Sequence, residues 1–153
     1  MTVTSPEEQL NGFIDKFTPE VAEIARACLT NVRARMPGAI QMVYDNYNAL
    51  AIGFSPNDRS SDAILSIVLY PRWVNICFLQ GAAMPDPNGL LQGSGNVVRN
   101  IRVNHASDLD DPAVGALIST AIECSRVPME GVGPGRLVIK LLLAKQRPRR
   151  PGK

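Results

Sequence analysis

The sequence is poor in the residues from which most catalytic and metal centres are built. It holds one histidine, three cysteines and one tryptophan among 153 residues, and aromatic residues make up 5% of it. Cys28, Cys77 and Cys124 are widely separated. A disulfide framework or a zinc site needs paired cysteine spacings, which are absent here. We therefore expect reduced thiols in a cytoplasmic protein that carries no cofactor.

Long hydrophobic runs are also missing. The longest apolar stretch, Leu137 to Ala144, is interrupted by Lys140 and is too short to span a bilayer. The first residues, Met1 to Glu8, have no basic cluster followed by an apolar run, so a secretory signal is not expected. The sequence therefore predicts no contact with a membrane.

Acidic residues are absent from the end of the chain, because none follows Glu130. The formal net charge of +2 hides this asymmetry. A basic end on a more acidic body favours either docking onto the chain itself or an anionic partner, and an oligomer stays open as an alternative. Nucleic acid is not the expected partner, since the basicity does not extend over a whole face. The bases after Glu130 are Arg136, Lys140, Lys145, Arg147, Arg149, Arg150 and Lys153.

The spacing of apolar residues predicts two helices at the start of the chain, then five strands, a third helix and a last strand. Ser5 and Thr18 each precede a proline and a helical stripe, which predicts helices over Ser5 to Phe17 and Thr18 to Met36. Asp111 begins a third helix with a stripe from Val114 to Ile122. Alternating or continuously apolar runs predict strands over Ile40 to Tyr44, Leu50 to Phe54, Ile64 to Tyr70, Val74 to Leu79, Arg99 to His105 and Leu137 to Lys145. The last run also fits a buried helix.

This order of elements is typical of an α+β two-layer sandwich, in which a mainly antiparallel sheet is covered by N-terminal and C-terminal helices. We expect residues 1–146 to form a single domain. Residues 147–153 are expected to form a basic tail rich in proline and arginine, which Pro148 and Pro151 keep extended.

Several segments resemble bacterial members of the YdhG-like family of domains of unknown function. They are Tyr70 to Gly81, Pro85 to Pro87, Leu90 to Asn96, Arg99 to Arg102 and Ala144 to Pro151, and the resemblance extends over about 21–151. The family resemblance implies a frataxin-like two-layer fold, in agreement with the periodicity. It supplies no reaction, because most members have no assigned activity.

The resemblance also implies an alternative function in iron binding, because one relative in the family has been regarded as a frataxin-type iron chaperone. In that fold, carboxylates on the first helix and on an edge strand would be the expected ligands. This sequence has only a sparse set there, and those at helix starts also have a role in capping. Metal binding is therefore left open at Glu7, Glu8, Asp15, Glu20 and Glu23.

The segment between the fourth and fifth strands contains the most distinctive candidate site. Glycines on both sides of a serine can turn backbone N–H groups toward a single anion, and two arginines follow. Successive strand residues point to opposite faces, so only one of these arginines can serve such a nest. A purely structural turn is the alternative. The candidate ligand-binding residues are Gly93, Ser94, Gly95, Asn96, Arg99 and Arg102, and the tail adds Lys145, Arg147, Arg149 and Arg150.

No arrangement of residues identifies a catalytic site. His105, the sole histidine, has no recognisable metal or acid–base partners in the sequence, and Ser94 lacks the spacing of a nucleophile elbow. We therefore expect a non-enzymatic binding module for a small anionic ligand or an acidic protein surface. The alternatives are a frataxin-like iron-binding protein and, with less support, an enzyme that uses the long loop as a pocket wall.

Overall fold

Three helices begin where local capping chemistry favours them. The computed structural model describes residues 4–129 and 135–151. In it, α1 covers Pro6–Asp15, α2 covers Pro19–Arg35 and α3 covers Pro112–Glu123. Ser5 Oγ accepts a hydrogen bond from the Glu8 N–H at 3.1 Å, and Thr18 and Asp111 cap the other two helices in the same way. The predicted helix starts are therefore confirmed.

Six strands form a single sheet. They are β1 (Ile40–Asp45), β2 (Leu50–Ser55), β3 (Leu65–Leu69), β4 (Val74–Phe78), β5 (Arg99–Val103) and β6 (Arg136–Leu142). Their order across the sheet is β5-β4-β3-β2-β1-β6. Short 3₁₀ turns occupy Ser60–Asp62, Gly81–Ala83 and Ala106–Asp110.

The sheet is mainly antiparallel, as expected, but it is mixed, because one pair of neighbouring strands is parallel. β1 to β5 form antiparallel pairs, but β6 pairs in parallel with β1. The reason is the crossover through α3. This helix carries the chain back from the end of β5, so that β6 starts at the same end of the sheet as β1. The coarser α+β two-layer arrangement is as predicted.

The helices cover one face of the sheet, here called the inner face. Alternate strand residues point to this face and form the core with the helical stripes. Leu29 of α2 and Leu117 of α3 are both buried, as the periodicity predicts. Cys28 lies in the same core. Among the described residues, no helix is both long and apolar enough to cross a membrane.

The opposite face, here called the outer face, has no helical layer among the described residues. The strand register places Ala51, Gly53, Ser66, Asn75 and Cys77 on it. Part of the loop between β2 and β3 lies over this face and forms one wall of a shallow groove. The outer face is therefore the part of the sheet that is open to other molecules.

The segment after β6 lies against the domain. The Leu143 N–H donates to the Asp45 carbonyl at 3.1 Å, and the Arg147 N–H donates to the Tyr47 carbonyl at 2.8 Å. These bonds hold the segment along the end of β1 and the turn that follows it. Residues 147–151, which the sequence sets apart as a tail, thus contact the body through its β1–β2 turn.

Candidate functional site

The glycine-rich candidate segment is the tip of a small hairpin. Gln92 and Asn100 exchange backbone hydrogen bonds of 2.7 and 2.9 Å, and the residues from Gly93 to Val98 are exposed. Gly93 has a φ of +115°, a conformation that glycine tolerates best. The turn of the hairpin therefore accounts for the glycine at position 93 without a ligand.

The side chain of Arg99 forms hydrogen bonds with the backbone of this turn. Its Nη1 donates to the carbonyl oxygens of Gly95 and Val98, the latter at 3.0 Å. The sequence predicts that the Arg99 guanidinium binds an anion. In the structure, this guanidinium instead donates hydrogen bonds to carbonyl oxygens of its own loop. The structure thus brings the side chain of Arg99, the first residue of β5, against the loop that contains Gly93, Ser94, Gly95 and Asn96.

Arg102 is separated from the loop, because it points to the outer face. The guanidinium carbon of Arg102 lies 4.4 Å from the centroid of the Trp73 ring. The Trp73 ring in turn lies 5.2 Å from the Tyr70 ring, with 32° between their planes. Arg102 is exposed, and its guanidinium makes no hydrogen bond or ion pair within the part of the chain that the structure describes. We call Tyr70, Trp73 and Arg102 the outer-face cluster.

The neighbours of the cluster on the outer face are uncharged. Burial raises the pKa of Tyr70 and of the Cys77 thiol, so both stay protonated at neutral pH. The strand residues that point outward include no carboxylate among the described residues. The side chains of Trp73 and Asn75 each keep one buried polar atom, Nε1 and Oδ1, without a partner in the described structure. Among the described strand residues that point outward beside the cluster, Arg102 is therefore the charged one.

Among the described residues, the acidic side chains near Arg102 are at the edge of the sheet, where Asp108, Asp110 and Asp111 line a groove that also includes Arg102. Asp108 Oδ2 accepts from the backbone N–H groups of Asn104 and His105 at 2.9 and 3.1 Å. Asp111 Oδ1 accepts from the first turn of α3. Two of these three carboxylates thus stabilise backbone N–H groups.

The predicted basic tail makes an ion pair within the chain. Arg149 Nη2 donates to Asp45 Oδ1 at 2.8 Å and to the Asn46 carbonyl at 2.5 Å. The side chains of Arg149 and Asp45 are only 4% and 1% exposed. Arg150 Nε donates to the Lys16 carbonyl at 3.1 Å, just after the end of α1.

Lys145 and Arg147 of the tail differ from these two arginines, because their residues are exposed. Neither side chain makes an ion pair or a hydrogen bond within the described residues. The four tail residues therefore do not form one basic surface. Arg149 and Arg150 form hydrogen bonds with the domain, whereas the side chains of Lys145 and Arg147 are exposed to solvent.

The acidic residues on the first helices are dispersed. Asp15 pairs with Arg26 at 2.7 Å, and Glu7 pairs with Arg33 at 3.0 Å. Within residues 4–129 and 135–151, no group of three or more histidine, cysteine or carboxylate side chains is placed to hold a metal ion.

The pairing of Arg102 with Trp73 is the feature that sequence reasoning missed. Trp73 directly precedes β4, and Arg102 of β5 pairs with Asn75 of β4. Trp73 and Arg102 therefore lie on the same face of neighbouring strands. Alternation alone would have placed each residue on a face, but the β4–β5 register was needed to make them neighbours. No protein-family model, curated protein or solved structure matches the chain.

Proposed function

We propose that the protein is a non-enzymatic binding module that receives a small anionic ligand at Arg102. The observation that carries this proposal is the exposed guanidinium held over the Trp73 ring, without an acidic partner within the described residues. An acidic protein surface would present the same carboxylate chemistry. Both a small anionic ligand and an acidic protein surface would therefore present the same kind of negatively charged group to Arg102.

The indole ring supports binding because it restricts the guanidinium without using its N–H groups. A cation over an aromatic face is attracted by the ring, and an arginine held in this way loses less conformational entropy when it binds. Arginine also presents parallel N–H donors that match a carboxylate or a phosphate. The stacked guanidinium is thus arranged for an anion before one arrives.

The other predicted cations support the same choice. The guanidinium of Arg99 is bonded to carbonyl oxygens of its own loop, and that of Arg149 is paired with Asp45. Lys145 and Arg147 are exposed, but no described side chain holds them in place. Arg102 is the predicted site residue that combines exposure with a fixed position.

The family resemblance belongs to this proposal. Membership of the YdhG-like family would imply a frataxin-like fold and a bacterial cytoplasmic domain, but it supplies no reaction, because most members have no assigned activity. The iron-binding alternative has less support, because the carboxylates of α1 and α2 are dispersed and partly paired with arginines.

The test compares Arg102→Gln with Arg147→Gln, which removes an exposed arginine of the C-terminal segment, where the backbone is bonded to Tyr47 in the β1–β2 turn and not to the outer-face cluster. Calorimetry with inorganic phosphate, citrate and a short oligoglutamate peptide measures the dissociation constants. Arg102→Gln should weaken binding about tenfold or more, because charged hydrogen bonds are lost. Binding should also weaken as salt rises, since the site is exposed.

Equal losses in the two variants would overturn the proposal, because they would indicate binding to any surface cation. A ferrous iron titration provides the second arm. Saturable iron binding that is lost in a Glu20→Gln, Glu23→Gln double variant would favour the iron-binding alternative instead.

A further inference from the structure

A cavity of about 210 Å³ lies at the C-terminal end of α3. Its floor consists of Ile64, Met84 and Ala121, which belong to the buried core. Ala63 and Ala83 contribute short side chains to its walls, which leaves space that larger residues would fill. The cavity shares no lining residue with the groove beside Arg102. It is therefore a separate concave site with an apolar interior.

Charged groups are concentrated at one side of this cavity. Arg126 Nη2 lies 3.0 Å from Asp62 Oδ1, and Arg59 Nη1 lies 3.9 Å from Asp62 Oδ2. The Asp62 side chain is 5% exposed, whereas those of Arg126 and Arg59 are 80% and 76% exposed. Hydrogen bonds from Asn57 and Arg126 hold the pKa of Asp62 below its usual range, so the carboxylate is ionised at neutral pH. Two guanidiniums beside one carboxylate leave a net positive charge that faces solvent.

We propose that this cavity binds a small, mostly apolar molecule that carries one carboxylate. Its apolar part would lie on Ile64, Met84 and Ala121, and its carboxylate would accept from the N–H groups of Arg126 that Asp62 leaves unused. The size is suitable, because an apolar cavity of about 150 Å³ already accommodates benzene. A six-membered ring with one short head group therefore matches the space.

Cys124 provides a reporter for this site, because it is exposed and lines the cavity. Burial raises the pKa of Cys77, and it raises the pKa of Cys28 to about 12. Thiolates are the reactive form of cysteine, so an alkylating reagent should modify Cys124 first. A molecule in the cavity should then slow the alkylation of Cys124.

The experiment uses benzoate, benzamide and benzylamine, which combine one ring with an anionic, a neutral and a cationic head group. Thermal unfolding of the full chain should shift upward by roughly 3 to 5 °C with benzoate at ten times its dissociation constant. Benzamide should give a smaller shift, and benzylamine the smallest. The same concentration of benzoate should slow iodoacetamide labelling of Cys124 several-fold, as followed by intact mass.

Two matched variants locate the effect. Ala83→Leu fills the cavity, whereas Ala82→Leu adds the same atoms to the same exposed turn but outside the cavity lining. Benzoate should stabilise and protect the Ala82→Leu protein but not the Ala83→Leu protein. In the Arg126→Gln protein, benzoate should raise the unfolding temperature no more than benzamide does. Labelling of Cys124 with N-ethylmaleimide should abolish the rise in unfolding temperature caused by benzoate.

Stabilisation of both leucine variants by benzoate would overturn the proposal, and so would unchanged labelling of Cys124 at saturating benzoate. A larger shift with benzylamine than with benzoate would show that Asp62 recognises a cation and would overturn the assigned head group. None of these results depends on Arg102, so failure here and failure of the anion site at Arg102 are separate outcomes.

Discussion

The arginines of this protein differ in what holds their guanidinium groups. Arg149 is buried against a carboxylate, Arg99 is bonded to carbonyl oxygens of its own turn, and Arg102 lies on an aromatic ring. The first two arrangements use N–H donors of the side chain and stabilise the fold. The third leaves the donors open. The same residue type thus supports folding or binding according to its nearest neighbours.

Asp62 should make the stability of the fold depend on pH. Its pKa is lowered in the folded protein by hydrogen bonds from Asn57 and Arg126, so it stabilises the fold above its unfolded pKa, near 4. That contribution is lost as the pH falls through the folded pKa. Asp62→Asn should therefore be less stable than the wild type at pH 7, and the gap should close in acid. Urea unfolding between about pH 7 and pH 3 measures it.

Asp58→Asn is the control for this measurement. Asp58 pairs with Arg136 at 3.4 Å, but both side chains are more than half exposed. Exposed ion pairs contribute little to stability. The Asp58→Asn protein should thus follow the wild type at every pH, and a gap for Asp62→Asn that persisted unchanged at pH 3 would contradict the assignment.

At the scale of elements, the helices were predictable and the last strand was predictable only in part. Helix starts depend on residues close in sequence, such as Thr18 and Pro19, so their signals are local. The apolar run after Arg136 indicated a strand but not its partner. The strand ends at Leu142, before the predicted Lys145, because the chain there leaves β1 for the β1–β2 turn. Parallel pairing depends on a crossover that no local pattern reports.

Substitution of two glycines by alanine should change the stability of the protein in opposite directions. A Cβ at Gly81 would lie 2.6 Å from Arg99 Cβ and 2.9 Å from the Arg99 backbone nitrogen, whereas at Gly12 of α1 no atom lies within 4 Å. Gly81→Ala should therefore destabilise the protein by forcing the start of β5 away. Gly12→Ala should stabilise it by about 0.5 to 1 kcal/mol, because alanine favours the helix.

Chemical denaturation with an unchanged m-value checks both glycine substitutions. Hydrogen exchange at the β5 amides should increase in the Gly81→Ala protein alone. A neutral Gly81→Ala substitution would show that the loop before β5 adjusts at no cost, contrary to the close approach described here.

At the scale of the whole molecule, the charge asymmetry of the sequence corresponds to a contact between its distant parts. Arg149 and Asp45 are 104 residues apart, so their pairing appears in no local pattern. The sequence did offer docking onto the chain itself as one reason for a basic end. It did not indicate which acid would be the partner, because Asp45 follows the predicted strand Ile40 to Tyr44 and was expected to be an ordinary turn residue, whereas it is the last residue of β1. The same limit applies to Arg102, which was a predicted site residue, and to its stacking on Trp73, which was not.

The buried pair makes the C-terminal segment part of the stable fold. Arg149→Met keeps much of the side-chain volume over Phe17 but leaves the Asp45 carboxylate buried without its cation. We expect this change to lower the free energy of unfolding by about 3 to 5 kcal/mol. Removing residues 147–153 should have a comparable effect, since it removes the same cation. Urea unfolding of both proteins measures the loss.

Adding Asp45→Asn to Arg149→Met tests whether the uncompensated charge is the cause. The double variant should regain part of the lost stability, because a neutral amide is less costly to bury than a carboxylate. Arg150→Ala, which removes an exposed hydrogen bond to Lys16, should cost only about 1 kcal/mol. Because the pair is screened little by ions, the loss in Arg149→Met should be nearly the same at low and high salt. A loss that disappears in high salt would instead describe a tail held by exposed charges.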